Sequence, residues 1–216
     1  TQKLLEACVR AGNIKLFIYA SSSSVYGNPV KTPISEDHPL RPYSPYGVTK
    51  LTAEKLSFTY MDNYGLPVVS LRYFTVYGPR QRPDMAFHRF IKAMIRGEPI
   101  EVYGDGSQLR DFTYVADAVE ATLLALERVK EVNGEVINVG SGSPVKLIDT
   151  VRIVADILGI EPKIEFIEPQ VGDVKVTNAD ISKAYRLLDW RPRTKLREGL
   201  EREVEWIKHI LEKKLT

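Results

Sequence analysis

YASSSSVYG, residues 19–27, closes the short apolar run KLFIYAS (15–21) and opens onto a segment crowded with prolines. The run is rich in β-favouring residues and shows no polar alternation, the pattern of a strand buried on both faces. Four serines at its end admit three readings: a flexible linker, a polar strand end, or a catalytic hydroxyl. Upstream, TQKLLEACVRAG (1–12) sets Leu4, Leu5, Cys8 and Val9 on one helical stripe and stops at Gly12, a helix-ending residue. Downstream, Pro29, Pro33, Pro39, Pro42 and Pro45 make 28–45 an ordered loop. Ser44-Pro45 reads as the N-cap and first position of a helix reaching about Tyr64. LPVVSLRYF (66–74) is the next strand. Further helices are expected at 86–96, 115–129, 146–158, 180–188 and 196–213, and short strands near 100–103, 135–139 and 163–167. Helix and strand alternate, so the fold class is α/β: a partial parallel sheet with a smaller α/β lobe.

Composition narrows the function. The 216 residues are 44% hydrophobic and 27% charged, enough for one substantial core or a core with a satellite lobe. No apolar run approaches the roughly 18 residues a membrane helix needs, and no secretory leader opens the chain. One cysteine, Cys8, excludes an internal disulfide framework and points to a reducing, cytoplasmic setting. Charges of both signs are interspersed, with a net +2, so no basic face recommends nucleic acid. Three scattered histidines give no reason to expect a metal. The chain begins at Thr1, without Met, directly in helix-like sequence, which reads as a truncated chain.

The first chemical candidate is Tyr46-x-x-x-Lys50. Four residues apart on a helix, the two side chains share a face, and an ammonium beside a phenol favours the phenolate, a usable proton acceptor. With 11 tyrosines and 15 lysines, chance alone supplies about 0.8 such pairs, so the spacing needs its context. The context is a serine run at the carboxyl end of a buried strand, where open parallel sheets put their ligands. A rival, NVGSGSPVK (138–146), is Gly-rich between strand and helix but lacks G-x-x-x-x-G-K-[ST] spacing, which leaves a structural turn as the better reading.

In order along the chain, SSSSVYG, SPYGVTK, LRYFTVYGPRQRP, DGSQLRDFTYVADAVEA, INVGSG and GDVKVTNADISKAYRLLDWRP resemble the extended short-chain dehydrogenase/reductases, in particular the NAD-dependent nucleotide-sugar epimerases and dehydratases. The likeness runs from Thr1 to about Trp206. It implies that 1–74 is the remaining part of an NAD-binding Rossmann domain. Residues 75–216 are then mainly a nucleotide-sugar lobe, with 104–140 returning to the Rossmann core.

The resemblance also assigns roles. Ser22, four residues before Tyr26, becomes the catalytic hydroxyl, with Tyr46 and Lys50; its alternative is a strand-end serine satisfying loop backbone. Ala20, Ser21, Tyr46, Lys50, Tyr73 and Phe74 fall on the cofactor side. Ser22, Ser23, Ser24, Thr75, Arg82, Tyr103, Arg110 and Asp173 fall on the substrate side. Arg110 is expected to meet a pyrophosphate and Tyr103 a uracil, or else to be a core tyrosine. Thr75 and Arg82 match residues that hold a sugar carboxylate, although Arg82 also reads as a solvated loop arginine. Dehydratases and decarboxylases of the family carry an acid just after the catalytic hydroxyl, where this chain has Ser23 and Ser24. The implied reaction is therefore epimerisation at C4 of a UDP-sugar, UDP-glucose or UDP-glucuronate, through a 4-keto sugar.

Two departures stand out. Gln170 occupies a position often held by a phosphate-binding arginine. No G-x-x-G-x-x-G precedes the strand, so the NAD site is expected to be incomplete and this chain inactive alone. Rivals are a nucleotide-sugar dehydratase or decarboxylase, and a non-catalytic nucleotide-sugar-binding fragment. Helices 1–12 and 45–64 match those that pair in the family's dimers, so a homodimer or higher assembly is expected.

Overall fold

The computed structural model describes residues 1–169 and 172–213, so the Gln170 departure lies outside the described residues. Helix α1 (Gln2–Ala11) ends as its glycine requires: Gly12 takes a left-handed φ of 71° and its amide closes on the Cys8 carbonyl. Strand β1 (Phe17–Ser22) follows, then a single 3-10 turn at Ser23–Val25. Helix α2 (Pro45–Tyr64) opens with Pro45 at its first position, and Ser44 Oγ accepts the Gly47 amide at 3.1 Å. That cap fixes the first turn, and Tyr46 lies in it. Next come β2 (Val68–Tyr73), β3 (Thr75–Tyr77), α3 (Ala86–Arg96), β4 (Ile100–Tyr103), β5 (Leu109–Arg110) and β6 (Phe112–Tyr114). The chain continues through α4 (Val115–Glu127), α5 (Val129–Val132), β7 (Val136–Val139), β8 (Val145–Lys146), α6 (Leu147–Leu158), β9 (Ile164–Ile167), α7 (Ser182–Leu188) and α8 (Leu196–Glu212).

Three strands build the main sheet, in the order β1-β2-β7 and all parallel, with Ser21 opposite Arg72 and Ser22 opposite Tyr73. The period-2 alternation of β2 separates its faces. Ser70 and Arg72 turn toward α2, where both meet Glu54. Val69 and Leu71 turn the other way, into an apolar cluster with Ala118, Ala121 and Ala125 of α4, Ile137 of β7 and Trp190. A second and larger cluster lies under α3, α6 and α8, where Phe87, Ile91, Val151, Leu200 and Ile207 are fully buried with Ile100 and Val102 of β4. Three small pairs frame it: parallel β3-β6 and β4-β9, and antiparallel β5-β8. Among the described residues no helix is long and apolar enough to cross a membrane.

The expected long elements are present with ends shifted by one or two residues. Helix 180–188 begins at Ser182 because the Asp180 carboxylate takes the Ser182 amide. Strands β3, β5, β6 and β8 and helix α5 were not anticipated. Each is two to four residues long, too short for any periodicity to register.

One buried group in the second cluster carries a measurable cost. Glu203 of α8 is fully buried; its Oε2 accepts the Gly78 amide at 2.9 Å, and its Oε1 has no hydrogen-bond partner among the described residues. Burial pushes this carboxyl up to about 8 from an ordinary 4.5. The folded chain then keeps a proton that the unfolded chain loses, so the stability it contributes is present below about pH 4.5 and lost as pH rises toward 8. Glu203→Gln should abolish that slope. Urea unfolding at several pH values should show the wild type falling relative to the variant by roughly 1.4 kcal/mol per pH unit across this window, levelling off above it. Parallel stability curves for the two proteins would contradict the assignment.

Candidate active site

The cleft opens at the carboxyl ends of β1 and β2, where parallel sheets place their ligands. β1 ends on Ser22, whose Oγ accepts the Ser24 amide at 3.2 Å and donates to Ser24 Oγ at 3.1 Å. Ser22 therefore caps the 3-10 turn, the local role open to any strand-end serine, and it also lines a cleft of about 550 Å³ with Ser21, Tyr46 and Lys50. Tyr46 is 54% exposed there, free to meet a ligand. One turn along α2, Lys50 sends its ammonium to the Ala20 carbonyl at 2.9 Å, 5.6 Å from the centre of the Tyr46 ring. Helix and serine turn are in intimate contact: a Cβ on Gly47 would stand 2.5 Å from the Ser24 carbonyl oxygen.

Tyr46, Thr75 and Met85 also line an adjoining compartment of about 460 Å³ that extends to Tyr103, Arg110 and Asp173. The two compartments adjoin on those shared residues. Ser23 and Ser24 face a smaller recess with Arg110 and Asp173. Arg110 pairs with Asp173 at 2.6 Å and donates to the Leu109 carbonyl, so its guanidinium is held with its charge on the groove wall. Arg82 lines the first compartment but is 74% exposed, with Asp84 at 3.4 Å, which leaves it reachable by solvent and ligand alike. Tyr103, half-buried at the end of β4, has the Arg89 guanidinium over its ring. Phe74 is buried against Tyr26, whereas Tyr73 turns its hydroxyl to Thr122 of α4 at 2.6 Å while still lining the cleft.

Sequence reasoning missed the groups that hold these residues in place. Glu54 stands four residues after Lys50 on the same helix face, and takes Arg72 at 2.7 and 3.1 Å. Burial alone would raise its carboxyl, but the Arg72 hydrogen bonds and charge, then Ser21 and Ser70, hold it below its ordinary value. The spacing Tyr46-Lys50-Glu54 was a usable signal. Its partner, 18 residues on in another element, was not. Tyr26, fully buried, receives Arg72 Nη1 at 2.9 Å and donates to Asn138 Oδ1 at 2.6 Å; burial, partly offset by Arg72, pushes its phenol up to about 12. Arg89 was also missed; it lines the second compartment and pairs with Glu101.

The Gly-rich loop at 138–146 is no phosphate site. Its amides already hold an anion, the buried Asp111 carboxylate, which accepts Ser141 N at 2.6 Å, Gly142 N at 3.0 Å and Ala179 N at 2.8 Å. Ser141 Oγ adds a fourth bond at 2.7 Å.

Comparison with known proteins agrees with this geometry. Residues 1–140 match the model of the NAD dependent epimerase/dehydratase family. The chain is 45% identical over 209 residues to an uncharacterized UDP-glucose epimerase, YtcB, of Bacillus subtilis, covering 97% of this chain and 65% of the relative. It is 44% identical over 214 residues to the UDP-glucuronate 4-epimerase of Thermodesulfobacterium geofontis, covering 98% and 65%. The UDP-glucuronic acid 4-epimerase of Bacillus cereus, solved in complex with UDP-glucuronic acid and NAD, superposes with a TM-score of 0.92 at 48% identity, over 97% of this chain and 66% of that one. The chain thus spans about 65% of the length of the curated relatives it matches.

Proposed function

Because the chain belongs to the NAD dependent epimerase/dehydratase family, we propose that it carries the reacting groups of an enzyme that inverts carbon 4 of a UDP-sugar, either UDP-glucuronate or UDP-glucose. The observation that carries this reading is the meeting of Ser22, Tyr46 and Lys50 on one wall of a groove that runs on to Arg110. Tyr46 takes the proton of the sugar 4-hydroxyl and later returns it, while Lys50 keeps a positive charge beside the phenol. Ser22, already polarised by the turn it caps, hydrogen-bonds the 4-oxygen. Arg110 faces the diphosphate, where charge-assisted bonds give the firmest hold; Asp173 exchanges its partner for a sugar or ribose hydroxyl. Ser23 and Ser24 offer no acid to move a second proton, which favours epimerisation over dehydration or decarboxylation.

The residues present fit the nicotinamide end of NAD. Ser21 lines the cleft with its buried hydroxyl beside the Glu54 carboxylate, and Lys50, Tyr73 and Phe74 line the same space. NAD, when bound, supplies the hydride acceptor and donor for carbon 4. The exposed Leu4, Val48 and Tyr64 leave apolar area on α1 and α2 that supports a second copy as the partner; light scattering returning the mass of one chain would remove that pairing.

Two substitutions test the chemistry, in the protein that contains this chain. Tyr46→Phe should lose most turnover and keep UDP-sugar affinity, because only the proton acceptor is removed; near-normal turnover would overturn the reading. Arg82→Ala should weaken UDP-glucuronate selectively if the guanidinium pairs with the sugar carboxylate, and leave UDP-glucose little changed. Calorimetric titration with each nucleotide sugar measures the difference. Equal effects would make UDP-glucose the substrate and Arg82 a loop residue.

A further inference from the structure

Lys50 is fastened to β1 at both of its ends, by two consecutive residues. Its backbone carbonyl, inside α2, accepts the Tyr19 hydroxyl at 3.2 Å, and its ammonium donates to the Ala20 carbonyl at 2.9 Å. Between these points the ammonium lies 5.7 Å from the centre of the Tyr19 ring, close to the distance at which a ring face attracts a cation. The ammonium is also 5.6 Å from the Tyr46 ring centre, so two tyrosines bracket it. Tyr19 is buried, and burial first, then the charges of Glu54 and Tyr46, push its phenol up to about 12. Its hydroxyl is therefore a donor throughout the neutral range. A carbonyl has two lone pairs, so Lys50 accepts this bond in addition to its helical one.

A lysine stem left to itself samples many rotamers and spreads its charge over several ångströms. Pinned at backbone and tip, with an aromatic face alongside, it cannot. We propose that Tyr19 is a positioning residue that sets where the Lys50 charge stands beside Tyr46. This rests on the reading of Tyr46 as the proton acceptor. The charged and titratable groups around the pair are Tyr46, Lys50 and Glu54 of α2, Tyr19 of β1 and Arg72 of β2.

The test removes one oxygen. Tyr19→Phe keeps the ring and deletes the hydroxyl. Competitive acetylation with acetic anhydride, read by mass spectrometry, should show Lys50 reacting several-fold faster in the variant than in the wild type, with exposed Lys55 and Lys130 unchanged. On the UDP-sugar, kcat should fall several-fold while KM holds, since binding groups are untouched. Unchanged Lys50 reactivity in a variant with a normal melting temperature overturns the inference, as does an equal rise at all three lysines. Should the variant melt below the assay temperature, the wild type decides: Lys50 acetylated as fast as Lys130 also overturns it. Acetylation needs neither nucleotide sugar nor turnover, so a protein without epimerase activity would sink the functional reading and leave this measurement standing.

Discussion

The Glu54–Arg72 ion pair holds α2 against the three-stranded sheet. Both side chains are almost fully buried, and they meet through two hydrogen bonds in the fork geometry that suits guanidinium and carboxylate. Desolvating two charges is expensive, and such a pair is retained only when every remaining donor and acceptor is met. Here Ser70 takes the carboxylate as well, while Arg72 reaches Tyr26 and the Glu36 carbonyl. Removing either partner leaves a charge stranded, a loss of roughly 3–5 kcal/mol in comparable buried pairs. The pair therefore gives less net stability than fixity: α2 has one seat on β2 that satisfies it.

That seat determines the rest of the site. Tyr46 and Lys50 precede Glu54 by two turns and one turn on the same face of α2, so anchoring the third places the first two over the end of β1. Through Tyr26 the network continues to Asn138 of β7, whose amide group reaches the Ile34 carbonyl and whose backbone N–H takes the Glu36 carboxylate. On the α2 side of β2, Ser70 and Arg72 belong to a polar network while Val68 packs with Phe17 and Leu5 in an apolar cluster; the other side is an alanine-rich contact with α4. The buried ion pair lies under Ser22, Tyr46 and Lys50, and simple hydrophobic packing lies behind.

How much of this was legible in the sequence follows from how local each signal is. The capped start of α2 was readable, because Ser44, Pro45 and Gly47 act within one turn. The Tyr46-Lys50 spacing and the serine run gained meaning from their order along the chain. Arg72 carries no local signal, since nothing near it reveals a carboxylate 18 residues earlier on a helix. The two-residue strands β5 and β8 exist only because distant segments pair. The glycine loop at 138–146 was set aside on spacing. The physical reason lies in Asp111, which no local pattern links to Ser141 or Ala179. Ser22 kept both of its readings, since a serine can cap a turn and face a cleft at once.

Gly47 has a mechanical meaning. With no side chain there, the first turn of α2 rests directly on the Ser24 carbonyl, leaving no compressible layer between them. Any side chain at position 47 would have to push the helix start off the serine turn, and so move Tyr46 away from Ser22.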